Sequence, residues 1–275
     1  MILVTGATGN VGGELVATLV ARGEPVRAVV RDPASAGLSG VEIVQADLEF
    51  PESLTSALDG IRSAFLLGGW SDMPEILRRM QRAGVERVVL LTSRCVVGGR
   101  PDNPVTRMWL DSEAAVRDSG IPWTVLRPSG YHSNALRWLP QLQAGDVVRA
   151  PWPHVAIAAI DPADIASVAA TVLTAPGHEG AAHTLSGPEA LTPADQIATL
   201  AHVLGKLLRY EEISDEQARL EMAETTPAAY IDAFFRFYSE GEFDDSSVID
   251  TVSRITGSRP RTFEQWARAH AGAFA

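Results

Sequence analysis

The chain has one cysteine, Cys95, and one lysine, Lys206. A single thiol excludes an internal disulfide and any metal centre built on several thiolates, so no metal is assigned. A single lysine means that a mechanism needing an ammonium group must use Lys206 or be dropped. Positive charge is also scarce: 23 Lys and Arg against 34 Asp and Glu leave a net charge of −11. A nucleic-acid face needs the opposite balance, so no direct nucleic-acid partner is expected. An anionic small molecule is still allowed, because glycine turns and one Arg can bind phosphate locally. No apolar run approaches membrane-spanning length, and the first strand begins at residue 2 with no cleavable leader before it. The expectations are no membrane contact and a cytoplasmic location. The 275 residues suit one large α/β domain, or one domain with a smaller lobe.

The richest stretch is the beginning. The apolar residues Ile2, Leu3 and Val4 run straight into a turn with glycines at 6, 9 and 12. A helical pattern follows at once, with Leu15, Val16, Leu19 and Val20 on one face. Strand, glycine turn and helix are the parts that hold a dinucleotide pyrophosphate. Gly6 allows the tight turn, Gly9 lets the backbone approach the phosphates, and Gly12 lets the helix pack on the strand. The helix N-terminus adds free N–H groups and partial positive charge. A second strand at 26–30 supplies the context that the motif requires. Gly6, Thr8, Gly9, Asn10, Val11 and Gly12 are therefore expected to bind the cofactor.

Strands are predicted at residues 2–5, 26–30, 42–46, 63–67, 87–92 and 123–127, with helices at 11–22, 52–58, 73–83 and 112–119. Short apolar strands alternating with helices indicate a parallel sheet covered on both faces. The fold class is α/β, a Rossmann-type doubly wound parallel sheet. After Pro128 the pattern loosens. An apolar strand is predicted at 155–160, and Asp161-Pro162 then opens a helix to about 174. Thr192-Pro193 opens another, ended by Gly205. From Ser214 the chain reads as mostly helical, with its most aromatic stretch at 229–238. Residues 1–130 are assigned to the NADP-binding core. Residues 131–275 hold the remaining sheet and helix elements and a small, mostly helical substrate lobe, with a cleft between the two.

These segments resemble the atypical short-chain dehydrogenase/reductase group, in its NmrA-like branch. The resemblance rests on the run from Thr5 to Gly12, on the run from Val26 to Pro33, and on Gln45-Ala46-Asp47-Leu48. It continues through Ala83 to Val89 with Ser93, through Ser119 to Pro128, and through Asp161 to Ala166. The matches span about residues 1 to 205. Members of the group include NADPH-dependent reductases of quinones, ketones and aromatic compounds. They also include redox-sensing regulators that bind the cofactor without turning it over.

The resemblance and the fold place further candidates. Arg31 ends the second strand, where this fold meets the adenosine ribose, and an Arg there suits a 2′-phosphate, hence NADPH. Asp32 stands where an NAD-selecting acid would fall, and Arg31 could instead be a solvated strand-end charge. Asp47 and Leu48 resemble the adenine contact of the family, with a helix cap as the alternative for Asp47. Leu67, Gly68 and Gly69 end the fourth strand, where two glycines would let a ligand approach the backbone. Thr92, Ser93 and Pro128 sit at the same edge of the sheet.

The usual proton donor of the group is a Tyr followed four residues later by a Lys, which lowers the Tyr pKa. Counting back from Gly120, those places fall near Val105 and Trp109, both apolar. Acceptors that delocalise incoming charge, such as quinones, depend less on a strong protein acid. The candidate catalytic residues are Ser93, Tyr131 and His132, with Tyr131 expected to pack against the nicotinamide and His132 to titrate near neutrality. His132 as a surface loop residue is the alternative. The stripe Tyr230, Phe234, Phe237 and Tyr238 reads as core packing or as the wall for a flat aromatic substrate.

The reading is an NADPH-dependent oxidoreductase passing hydride to a small aromatic, quinone-like or ketone substrate, with secondary metabolism as one setting. A non-catalytic NADP(H) sensor and an epimerase- or dehydratase-like enzyme remain alternatives, and a homodimer is compatible with the sequence.

Overall fold

A computed structural model describes residues 1–274. The first part of the chain runs β1 (Ile2–Val4), α1 (Asn10–Ala21), β2 (Val26–Val30), β3 (Glu42–Gln45) and β4 (Ser63–Leu67). It continues with α2 (Met73–Arg82), β5 (Arg87–Leu91), α3 (Cys95–Gly98), α4 (Pro104–Asp118) and β6 (Trp123–Pro128). Then come α5 (Leu139–Ala144), β7 (Val147–Ala150), α6 (Pro162–Thr174), β8 (Ala181–Leu185), α7 (Pro193–Leu204) and β9 (Arg209–Glu212). The last helices are α8 (Asp215–Ala223), α9 (Ala228–Tyr238), α10 (Thr251–Thr256) and α11 (Phe263–Ala269).

Seven strands form one parallel sheet in the order β3-β2-β1-β4-β5-β6-β8. The order reverses direction between β1 and β4. In open α/β sheets, ligands bind at such a switch point, outside the carboxyl ends of the strands. Successive strand residues go to opposite faces. In β5, Val89 and Leu91 join Leu15, Leu19, Ile165 and Ala169 in one core, under α1 and α6. Val88 and Leu90 join Ile76, Leu77, Met80 and Val116 in the other, under α2 and α4. Burial on both faces explains why these strands are continuous apolar runs.

Three expectations shift. Residues 52–58 form only a 3-10 turn, Pro51–Leu54, and further turns. The helix predicted at 112–119 begins at Pro104, because the Asn103 side chain accepts from the Val105 N–H at 3.0 Å. Residues 155–160 make no strand. The N–H of Ala158 donates to Asp245, that of Ile157 to Leu191 and that of Ile160 to Gly130, so three different segments share the bonds of one ladder. The sequence reading also missed β8, whose Ala181-Ala182-His183-Thr184-Leu185 pairs only with β6 at the sheet edge. It missed the separate parallel pair of β7 and β9 as well. The openings of α6 at Asp161-Pro162 and of α7 at Thr192-Pro193 form as expected, the second as a full capping box. No helix among the described residues is long and apolar enough to cross a membrane.

Candidate active site

The first half of the site is made of backbone. Gly6 has φ +62°, and its carbonyl oxygen accepts the N–H of Gly9 at 2.9 Å. A Cβ on Gly12 would lie 2.1 Å from that same oxygen, so α1 can approach the turn only without a side chain there. Gly9 is the N-cap of α1 and no side chain caps the helix. The first-turn N–H groups are therefore left for an anion. Thr8, Gly9 and Asn10 are exposed around them, while Val11 is buried in the core beneath.

Arg31 is exposed just past β2 and has no carboxylate partner among the described residues. Its own carbonyl accepts from Gln45 Nε2 at 2.9 Å, which ties the backbone there to β3. The Asp32 carboxylate is turned the other way, accepting the Ala34 N–H at 3.0 Å. Asp47 closes the turn after β3: its carboxylate accepts the Glu49 N–H at 3.1 Å, and its N–H donates to Ser53 Oγ at 2.9 Å. Leu48 is buried behind it. Leu67 is tied to Thr5 Oγ1 at 3.0 Å, and the Gly69 N–H donates to Ser112 Oγ at 2.9 Å. A Cβ on Gly68 would come within 3.1 Å of the Leu91 oxygen and 3.3 Å of Ser112, so close packing of β4 on β5 and α4 by itself favours a glycine there.

The second half is a cleft of about 360 Å³ at the carboxyl ends of β5 and β6. Thr92, Ser93, Pro128 and Tyr131 line it together. Val105 and Trp109 of α4 line it too, so apolar side chains stand in the cleft at the two positions where counting back from Gly120 had placed the Tyr and Lys of the short-chain group. The opposite wall is α9, which contributes Tyr230, Phe234, Phe237 and Tyr238. The stripe lines the cleft and is partly core as well, since Phe237 is packed against Cys95, Val105 and Ala233.

The side chains differ in their freedom. Thr92 Oγ1 is committed to Glu113 at 3.1 Å and to the Leu126 oxygen at 3.3 Å. Ser93 Oγ accepts the Cys95 N–H at 3.3 Å and faces the cleft. Tyr131 is enclosed, and burial pushes its phenol well above the usual range. It stays protonated, so its O–H can donate or accept a hydrogen bond and its ring can pack, but it does not act as a phenolate base. Burial also pushes the Cys95 thiol up, which leaves it a small buried packing residue.

His132 does not line the cleft. It is 2 % exposed, and its ring packs edge-on against Phe263 at 5.4 Å and tilted against Trp266 at 6.2 Å. Burial pulls its pKa down to about 4, against a smaller opposing effect from Asp161. The imidazole is neutral near pH 7 and cannot serve as the expected proton donor.

Two groups, one at the floor of the cleft and one behind it, carry no expectation from the sequence. Asp245 accepts from Ser129 Oγ and, at 3.0 Å, from the Gly130 N–H, with Arg94 Nη1 at 3.3 Å. It ties the segment after α9 to the end of β6. Burial raises its pKa, while the two hydrogen bonds and Arg94 pull it back. Behind Thr92, the buried Glu113 takes a bidentate contact from Arg127 at 2.8 and 2.6 Å and one from Arg117 at 2.7 Å. The Arg117 pair has helical i,i+4 spacing and was visible in the sequence. Nothing local marks Asp245.

Residues 6–176 match the model of a family described as NAD(P)H-binding. The chain belongs to that family. It is 39% identical over 281 residues to a (4-alkanoyl-5-oxo-2,5-dihydrofuran-3-yl)methyl phosphate reductase of Streptomyces griseus, covering 100% of this chain and 99% of that one. It is 34% identical over 288 residues to an NAD(P)H azoreductase of Xenophilus azovorans, covering 100% and 99%. Among solved structures, an NADPH-dependent quinone oxidoreductase of Escherichia coli complexed with NADPH superposes with a TM-score of 0.80 at 27% identity, covering 99% of this chain and 100% of that one. Family, fold and relatives make the chain an NAD(P)H-dependent oxidoreductase. Its own residues fit the dinucleotide: the Gly6–Gly12 contact leaves no room for a side chain, and the α1 N-terminus is uncapped.

Proposed function

We propose that the protein is an NADPH-dependent reductase of flat, conjugated, electron-poor acceptors, such as quinones or carbonyl-conjugated double bonds. The observation that carries this reading is the cleft itself: aromatic α9 on one wall, apolar Val105 and Trp109 on the other. The names of the relatives support it, since a furanone, an azo compound and a quinone are all conjugated acceptors.

Bound NADPH supplies a hydride from its nicotinamide. The chain supplies position. Thr8, Gly9 and Asn10 would hold the pyrophosphate with backbone N–H groups, and Arg31 would pair with the 2′-phosphate. Asp47 and Leu48 would meet the adenine end of the dinucleotide, and Leu67 to Gly69 would let it approach the end of β4. Ser93 and Tyr131 donate hydrogen bonds that orient the acceptor, with Thr92 and Pro128 shaping the floor. Trp109, Tyr230 and Phe234 lie against its ring faces and exclude water. The acceptor gains two electrons and one hydrogen as hydride, and the negative charge spreads onto its conjugated oxygen. Water provides the balancing proton afterwards. Holding two reactants in near-attack geometry can contribute about 7–11 kcal/mol, which makes positioning the main source of rate here.

The test is to mix the NADPH-loaded protein with 1,4-naphthoquinone in a single turnover and follow NADPH absorbance. Loss of absorbance in proportion to quinone is expected. Tight NADPH binding with no loss for any acceptor would mean a sensor instead.

A further inference from the structure

The aromatic cleft does not end at Tyr238. Gly130, Tyr131, Asn134 and Tyr238 line both the cleft and a smaller cavity of about 70 Å³ beyond it. No carboxylate borders this extension, and its single charged group is Arg137. Arg137 sits near the end of the 3-10 segment His132–Trp138, with its guanidinium carbon 5.2 Å from the centre of the Trp138 ring. It makes no ion pair and no hydrogen bond among the described residues, in a chain whose net charge is −11. It also borders a groove on its far side with Asp146, Glu221 and Glu224, and none of these carboxylates reaches it.

The surroundings of this guanidinium are unusual for a surface Arg. The residue is solvent-accessible, yet desolvation by the protein around it lowers its pKa, with the Tyr238 phenol as the opposing neighbour. The carboxamides of Asn134 and Gln196 border the same space and are likewise unengaged by protein. One wall is Trp152, held at φ +60° as the only non-glycine with positive φ among the described residues. Its indole N–H donates to Ser239 at 2.8 Å and its ring rests 4.8 Å from Tyr238. Such backbone strain persists only where the surroundings enforce it.

We propose that Arg137, Asn134 and Gln196 form an oxyanion subsite at the end of the aromatic cleft, so that the preferred acceptor carries a phosphate monoester or a carboxylate. This rests on the reductase reading, which puts the ring of the acceptor in the main cleft. The cavity is too small for a second ring and suits a compact charged group. A guanidinium with no internal partner can give both of its N–H pairs to such a group.

The experiment is calorimetric titration of the full chain saturated with NADP+, which keeps added phosphate off the α1 N-terminus. The probes are 1-naphthyl phosphate, 1-naphthoate and neutral 1-naphthol. At least one anion should bind about tenfold or more tightly than 1-naphthol, and the tighter of the two identifies the group preferred. Arg137→Gln should remove that advantage while changing 1-naphthol binding less than about twofold, and Arg137→Lys should restore part of it. Equal affinities in the wild type, or an advantage that survives Arg137→Gln, would overturn the proposal. Loss of 1-naphthol binding together with the anions in both variants would also overturn it, by showing a structural role. Failure to oxidise NADPH with quinones leaves this titration unaffected, so the two claims fail separately.

Discussion

At the start of α1, a Cβ on Gly12 would lie 2.1 Å from a backbone oxygen. At α9, Tyr230 is 37% exposed and Phe234 half-buried, both facing an open cleft. The proposed cofactor half of the site is thus backbone packed to its limit, and the proposed acceptor half is side chains with space before them. Backbone contacts demand glycine and a fixed helix position. Side-chain walls can be exchanged one residue at a time without moving the sheet. The difference explains how full-length relatives share the family while their names describe a furanone, an azo compound and a quinone.

The comparison can be broken most directly at Gly9. Gly9→Asp would place a Cβ 3.2 Å from the Gly6 oxygen and a carboxylate beside the pyrophosphate. NADPH affinity should fall about a hundredfold or more, roughly 3 kcal/mol, by fluorescence titration. A folded variant with wild-type affinity would remove the cofactor site from α1.

His132 sharpens the contrast from the side-chain half. Its pKa of about 4 lies below that of a free imidazole. The unfolded chain therefore binds more protons between about pH 4 and 6.5, and stability from this residue is complete above that window and lost as pH falls through it. Asp164, raised to about 6 by burial, acts in the opposite sense, losing its contribution as pH rises from about 4 to 6. The clean measurement is the difference between wild type and His132→Phe, in which Asp164 is common to both. Relative to that variant, wild type should lose about 2 kcal/mol between pH 7 and pH 5 in urea unfolding. A constant difference would mean that the imidazole is not desolvated.

Selectivity should respond less. The guanidinium of Arg31 has no internal partner, so Arg31→Ala should reduce the preference for NADPH over NADH by about tenfold, in line with a charge-assisted hydrogen bond of roughly 1.5–3 kcal/mol. A wild type that binds NADH more tightly would contradict the assignment and move attention to Asp32. The smallest effects belong to the orienting groups. Ser93→Ala and Tyr131→Phe should each lower kcat by less than about tenfold with a quinone, since neither is the acid of the reaction. Loss of turnover in Tyr131→Phe would restore an obligatory tyrosine.

The backbone half was legible in the sequence because its signals are local. A glycine spacing of three, a strand before it and an amphipathic helix after it lie within about twenty residues, and Asp161-Pro162 and Thr192-Pro193 mark helix starts in the same way. The sheet followed from apolar runs buried on both faces. What escaped depends on distant partners. β8 has one large apolar residue, Leu185, and no β-branched aliphatic, and it is a strand only because β6 leaves an edge to pair with. The segment 155–160 is apolar enough for a strand but is shared among Asp245, Leu191 and Gly130. His132 follows a strand at the ligand edge, as a catalytic residue would, and α11 then buries it under Phe263 and Trp266. Asp245 reaches Ser129 across 116 residues. No periodicity encodes such a contact.

The central claim is that hydride passes to a conjugated acceptor without a protein acid at the places held by Val105 and Trp109. Steady-state NADPH oxidation with 1,4-naphthoquinone and with cyclohexanone, at equal concentrations and across pH 6 to 9, tests it most directly. The account predicts turnover of the quinone with no ionisation of Tyr131 or His132 shaping the profile, and no measurable reduction of the isolated ketone, whose alkoxide needs a proton as it forms. Comparable reduction of cyclohexanone would contradict it, because that reaction requires an acid that the cleft is argued not to have.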